Sequence, residues 1–450
     1  MHRHRALADL RGDILSPGDP DFDSARQIFN ERLVGEPALI VRCAGVADVR
    51  RALRYAQAEG LEVSVRGGGH GLGGWASNNG GIVIDLTRLR WVLVDAPARS
   101  AWIGGGARAG DVVSETVSHG LVPVTGVTAT VGLGGLATGA GEGYLTPQHG
   151  YASDNVIAFE LVTAAGDVLR VSETERPELF WALRGAGPNF GVVTAMQIRL
   201  HPLPAQTVGG SLTFAGADVA AATRGAWDLM ENGSQAVFPQ TMYGLDADGA
   251  PTVTILPGHV GPPDAAAREI DRLRTFADPV RDDTTTMSYV ELLHQLDDGG
   301  GDRGGRHLWD LVHLPFAGDR ETQQELVLSL LPLFGPNTAM ELWRTAPAPV
   351  PGPRSVLPRT PGVALVVLQM WTDPADDARE TDILRRIGET LHASGLVEES
   401  PSASNHVTVH DPRRVAALYG EGAYAGLRRL KAVHDPANLF RNNYNVPPAD

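Results

Sequence analysis

The sequence predicts an α+β protein built from two unlike parts. Three observations support this. Residues 20–100 alternate helical and strand patterns, and residues 101–205 open a second unit of the same kind. From 206 to 404 the texture changes. Strands such as Thr252–Leu256, Met340–Arg344 and Val363–Trp371 alternate with helical stretches near 218–231, 263–277, 320–333 and 375–395, the pattern of an antiparallel sheet backed by helices. The two prolines of His201-Pro202-Leu203-Pro204 mark the boundary.

Taken in order, Ala38–Cys43 reads as a strand, with Cys43 as a small apolar core residue. Asp48 is expected to cap a helix whose apolar face is Val49, Ala52, Leu53 and Ala56, and Gly60 ends it. Leu61–Val65 alternates like a strand, and Ile82–Leu86 is another. Ala101–Ile103 is a strand, Gly104–Gly106 a turn, and 108–119 a helix. The stretches 296–306 and 346–361, rich in glycine and proline, are expected to be loops. A helix in the last 40 residues should present Ala423, Leu427, Leu430 and His434 on one face. There are no internal repeats.

Composition narrows the function classes. The 450-residue chain carries a net charge of -15, which argues against nucleic acid or an anionic membrane surface as partner. A single cysteine excludes an intrachain disulfide. No apolar run approaches the roughly 18 residues of a membrane span. Met1-His2-Arg3-His4-Arg5 is followed by no signal-peptide core, so a cytoplasmic protein is expected. His294, His307 and His313 lack metal-ligand spacing, and no metal is expected. Lys431 is the only lysine, which points to a GC-rich coding bias and carries no mechanistic reading.

The most informative stretch is Val65-Arg66-Gly67-Gly68-Gly69-His70-Gly71-Leu72-Gly73-Gly74. Three glycines in a row let the backbone lie against a flat or charged ligand, and His70 can reach whatever the loop holds. Alone, a glycine loop is a weak signal. It is not the dinucleotide-binding fingerprint, which opens a helix straight after a strand. A Walker loop is excluded, because no Gly-Lys-Ser or Gly-Lys-Thr follows.

Further motifs come in order: Gly126-Val127-Thr128-Ala129-Thr130-Val131-Gly132-Leu133-Gly134-Gly135, Gly139-Ala140-Gly141-Glu142-Gly143-Tyr144-Leu145, Gly150–Asn155, Phe180–Val193 and Asp435–Pro448. Together they resemble the berberine-bridge-enzyme-like FAD-linked oxidases of the vanillyl-alcohol-oxidase superfamily. The resemblance covers 1–205 and 405–450; the middle fits only in its order of elements. It implies a PCMH-type two-part FAD-binding domain over 1–205, a substrate-binding domain over 206–410, and a segment 411–450 that folds back onto the first. The implied activity is oxidation of a small molecule at a C–H next to a hydroxyl or amine, with molecular oxygen as acceptor, in secondary metabolism.

Site residues follow from the resemblance. His70 aligns with the histidine that the family joins to the 8α-methyl of FAD. Thr128 stands where many relatives carry a second, cysteinyl link, so a single link is expected. That replacement keeps a flavin-dependent monooxygenase open as an alternative. Val131 matches a position on the oxygen approach to flavin C4a, and valine there favours an oxidase. Arg66, Gly67, Gly68, Gly69, Gly71, Gly134, Gly135, Gly143, Asn155, Asn189, Val193, Asn443 and Asn445 are carried over as flavin-side positions. Glu142 replaces the tyrosine that often sits above the flavin, and a desolvated carboxylate there can serve as base. The other base region reads Ala403-Ser404-Asn405-His406, which offers His406 instead of a tyrosine. An exposed loop glutamate and a strand-end histidine are the competing readings. A flavin-binding protein without a base is the remaining rival. Tyr243, Gln369 and Trp371 lie on candidate strands and are expected to face substrate, with a side that depends on a one-residue register.

Overall fold

The computed structural model describes residue 7 and residues 9–297, 305–345, 355–401, 403–408 and 411–449. The expected loops 296–306 and 346–361 fall largely outside them. The first sheet has four strands in the order Asp13–Leu15, Leu39–Arg42, Ile82–Asp85, Val63–Arg66, the last three parallel. Helix Val46–Glu59 covers it with Val49, Ala52, Leu53 and Ala56, which pack on Leu39, Val41, Ile82 and Ile84. The helix ends at Gly60, where φ of 65° places the C-cap in the left-handed region.

The expected role of Asp48 needs correction. The helix starts at Val46, so Asp48 lies inside its first turn. Its buried carboxylate accepts the N–H groups of Arg11, Gly12 and Ala44 at 3.1, 3.0 and 2.9 Å. It therefore ties the incoming chain to the helix instead of capping the helix's own first amides. A carboxylate near a helix N-terminus is stabilised by the dipole in either role.

The second sheet runs Val92–Asp95, Ser100–Gly104, Val192–Pro202, Val156–Val162, Val168–Ser172, with Leu121–Pro123 also pairing to Val192–Pro202. All its pairs are antiparallel. The third sheet is antiparallel and has eight strands. Its centre is Pro251–Leu256, Gln240–Leu245, Thr338–Thr345, Gly362–Trp371 and Arg306–Pro315. Helices Val219–Asn232, Pro263–Arg274, Arg320–Leu330 and Asp377–Ala393 cover one face, burying Trp227, Ile270, Val327 and Ile387 against Tyr243, Leu342, Leu365 and Val367. The opposite face is left to line a cavity against the first two sheets.

The C-terminal helix Pro412–His434 and the tail after it fold back onto the first half of the chain, at Gly185, Pro188 and Asn189. Val415, Leu418, Tyr419, Leu427 and Lys431 are buried, and Ala423 and Leu430 are half-buried against the same core, so the expected face holds except at His434. Gly420, at φ 71°, kinks the helix. Lys431 is fully buried. Its ammonium donates to the carbonyls of Asn189 and Phe440 at 2.7 and 2.8 Å and pairs with Asp435 at 2.7 Å. The single lysine is thus a structural clasp, a role that composition alone did not suggest. No helix among the described residues is long and apolar enough to cross a membrane.

Candidate active site

A cavity of about 470 Å³ lies between the glycine-rich loops and the open face of the large sheet. Its two walls differ. One is mostly backbone: Gly67–Gly71, Gly132, Gly134, Gly135 and Gly187, closed by Phe440, Asn442, Asn443 and Tyr444 of the tail. The other is side chains: Met242, Leu256, Trp309, Glu341, Trp343, Leu368 and Met370.

The backbone wall depends on a close approach between two motifs that are far apart in sequence. A Cβ on Gly68 would lie 2.3 Å from the amide nitrogen of Gly132, and a Cβ on Gly132 equally close to that of Gly68. Only two glycines allow that contact. A Cβ on Gly135 would meet no atom within 4 Å and would stand in the cavity itself. The wall is therefore flat, bare and rich in N–H groups, which suits a planar ring and an anionic pyrophosphate. Asn443 adds an acceptor: its Nδ2 is used by Pro188 and Phe440, and its Oδ1 is buried with no partner among the described residues.

His70 lies in this wall, its ring stacked on Phe29 at 4.8 Å and 19°. Thr128 and Val131 also line the cavity. A hydroxyl at Thr128 cannot supply the thioether that a cysteine would.

Glu142 is buried, and its Oε2 accepts the indole N–H of Trp343 at 3.1 Å. His406 lies in the short helix Ala403–His406, its ring 5.5 Å from Trp343 and 6.5 Å from Trp309. Asn405 presses on the loop before Glu142, so closely that a Cβ on Gly139 would be 2.4 Å from its Oδ1. The two base positions drawn from separate motifs thus converge on one tryptophan.

Comparison with known proteins decides the family. Residues 37–172 match the model of the FAD binding domain, and residues 398–447 match the model described as berberine and berberine like. The chain is 35% identical over 454 residues to (R)-6-hydroxynicotine oxidase of Paenarthrobacter nicotinovorans, covering 98% of this chain and 97% of that protein. The chain belongs to the berberine-bridge-like FAD-linked oxidoreductases. A crystal structure of 6-hydroxy-D-nicotine oxidase from Arthrobacter nicotinovorans superposes with a TM-score of 0.91 at 35% identity, covering 98% of each chain. A chitooligosaccharide oxidase superposes with a TM-score of 0.85 at 22% identity over 99% of each chain, which shows the shared fold.

This member of the family is an FAD-dependent oxidoreductase, and most of the expected flavin-side positions lie in the backbone wall. Four do not line the cavity. The Asn155 amide bonds the carbonyls of His149 and Tyr151 and the ring of His201, a local clasp. The N–H of Gly143 goes to Thr146 Oγ1. The Arg66 guanidinium turns away to the Ala25 carbonyl. The Asn445 amide oxygen is buried and away from the cavity.

The three expected substrate residues are on the wrong face. The Tyr243 hydroxyl donates to Thr223 on helix Val219–Asn232 at 3.2 Å. Gln369 accepts from Thr338 at 3.0 Å, and the Trp371 indole donates to Asp377 at 2.8 Å. All three serve the helix-covered side. Side chains alternate along a strand, so the cavity is lined by their neighbours Met242, Leu368 and Met370.

Sequence reasoning missed Glu341. It shares a strand face with Trp343, two residues on, and lines the cavity. Gln240 donates to it at 2.6 Å. Removal from water raises its pKa to about 7, against the lowering effect of that hydrogen bond. The available signal was a lone carboxylate in the strand Ala339-Met340-Glu341-Leu342-Trp343. Among the described residues no cluster could hold a metal.

Proposed function

We propose that the protein is an oxidase of a compact, amine-bearing substrate, with FAD attached through His70 alone and dioxygen as electron acceptor. The observation that carries this reading is the composition of the side-chain wall. Two carboxylates, Glu142 and Glu341, stand among Trp309, Trp343, Met242 and Met370 on one wall of the cavity. Indole faces and carboxylates attract a cation, most strongly where water is excluded. The full-length relative is an oxidase named for a hydroxynicotine, in keeping with this reading.

Bound FAD supplies the hydride acceptor for oxidation of a C–H next to nitrogen. The residues do the rest. Glu341, poised near neutrality, holds or takes the amine proton. Glu142, fixed by the Trp343 indole, is the second proton acceptor, and His406 is packed against the same indole. Trp309 and Trp343 set the substrate plane and keep water out. Val131 leaves room on the oxygen side, where a larger side chain would fill it.

Oxygen transfer is the second reading, favoured by Thr128 in place of a cysteine. Turnover in labelled dioxygen separates the two. The oxidase reading expects one hydrogen peroxide per product and no label in product. Labelled product would replace it with a monooxygenase.

A further inference from the structure

Three consecutive residues, Phe29-Asn30-Glu31, brace the His70 loop against the large sheet. The Phe29 N–H donates to the Gly69 carbonyl at 3.0 Å, directly before His70. Asn30 is fully buried; its Nδ2 donates to the carbonyls of Leu72 at 2.9 Å and His307 at 3.0 Å. Its Oδ1 accepts the His307 N–H at 3.1 Å. The Glu31 N–H donates to the Gly305 carbonyl at 2.7 Å. The loop is thus pinned on both sides of His70, and to the start of strand Arg306–Pro315.

The side chains add a stack of rings. Phe29 stacks with His70 at 4.8 Å and 19°, and with His307 at 4.5 Å and 17°. His307 is 3% exposed, and neither ring nitrogen has a hydrogen-bond partner among the described residues. Ring stacking, not hydrogen bonding, therefore fixes its imidazole. Burial, with His70 nearby, pushes its pKa down to about 4, so His307 brings no charge to the stack at neutral pH.

We propose that Phe29 and His307 are positioning residues for flavin attachment: they hold the His70 ring in the plane from which its nitrogen bonds the flavin. This rests on the reading that His70 carries the FAD. In that step the imidazole nitrogen bonds the 8α carbon, and carbon and nitrogen each give up a proton. Two electrons pass through the flavin to dioxygen, which leaves with both protons as hydrogen peroxide. Such bond formation demands alignment; a misplacement of about 1 Å can cost on the order of 10²-fold in rate.

The test follows covalent incorporation over time after FAD is added to protein made with limiting riboflavin. Flavin fluorescence of the denatured band reports linked FAD, and acid-released flavin reports unlinked FAD. Phe29→Leu and His307→Ala should each slow linkage by about tenfold or more while FAD still binds and becomes acid-releasable. Phe29→Tyr and His307→Phe keep the stack and should link at the wild-type rate. Linkage at the wild-type rate in Phe29→Leu would overturn the proposal. So would loss of all FAD binding in both Phe29→Leu and His307→Ala, since the stack would then only shape the fold. If wild-type protein releases all of its flavin into acid, the His70 reading itself fails, a result distinct from either.

Discussion

The indole N–H of Trp343 donates to the Glu142 carboxylate at 3.1 Å across 201 residues of sequence. That bond joins the glycine-rich half of the chain to the sheet that faces it. It also helps to orient a carboxylate on a loop flanked by glycines. His406 packs on the same indole, so the two base positions share one support.

Glu142→Gln keeps the size of the side chain and can still accept the indole N–H, but loses the basic oxygen. A positioned base contributes about 10²–10⁴-fold. Anaerobic flavin reduction by a reactive amine should slow by roughly that factor, with flavin attachment intact. Unchanged reduction would shift the role to Glu341 or His406, and Glu341→Gln is then the next variant.

Glu341 should set a pH dependence. Its carboxyl is protonated below about 7 and charged above it. Attraction for a cationic amine should therefore strengthen as pH rises through that value, seen as a falling KM. In Glu341→Gln that inflection should vanish. A wild-type KM that is flat across it would contradict the assignment.

Val131→Leu should slow flavin reoxidation by dioxygen far more than flavin reduction by substrate. Its motivation is the place of Val131 in the cavity wall, three residues after Thr128. Stopped-flow measurement of each half-reaction checks this. Equal effects on both would remove Val131 from the oxygen path.

Stability should fall in mild acid. Burial pushes His307 and His313 down to about 4 and His201 to about 3, below the usual 6.5. Unfolded chain then binds more protons than folded chain between those values. Stability is therefore full above about 6.5 and is lost as pH falls toward 4, by about 1.4 kcal/mol per pH unit for each histidine. Urea midpoints across this range measure it, and a midpoint unchanged down to pH 5 would contradict it.

Lys431→Met should destabilise strongly despite its similar volume. Removing one partner of a buried pair costs about 3–5 kcal/mol, here by stranding the Asp435 carboxylate and the carbonyls of Asn189 and Phe440. Because Asp435 also accepts the N–H groups of Leu439 and Phe440, the tail should loosen. A thermal midpoint like that of wild type would show the clasp to be dispensable.

The sequence made the backbone wall legible because glycine patterns record backbone geometry. Gly68 and Gly132 must both be glycine, and each leaves its mark in its own motif. The side-chain wall was harder to read. Tyr243, Gln369 and Trp371 lie on the right strands, but strand periodicity is two, and a shift of one residue exchanges the cavity for the helix layer. Glu341 carries no motif; its meaning comes from Gln240 and Trp343 beside it. The Asp48 misreading has a similar cause, since the amides it serves belong to Arg11, Gly12 and Ala44, which only the fold brings near. Phe29 left no trace, because its partners are rings contributed by two distant segments.

We propose that this cavity oxidises an amine with FAD. It is tested most directly by mixing the holoprotein anaerobically with a panel of small aromatic and alkyl amines, alcohols and oligosaccharides, following visible flavin absorbance. Bleaching by a compact amine, recovery on admitting oxygen, and one hydrogen peroxide per turnover are expected. Bleaching by oligosaccharides alone, or by no member of the panel, would contradict it.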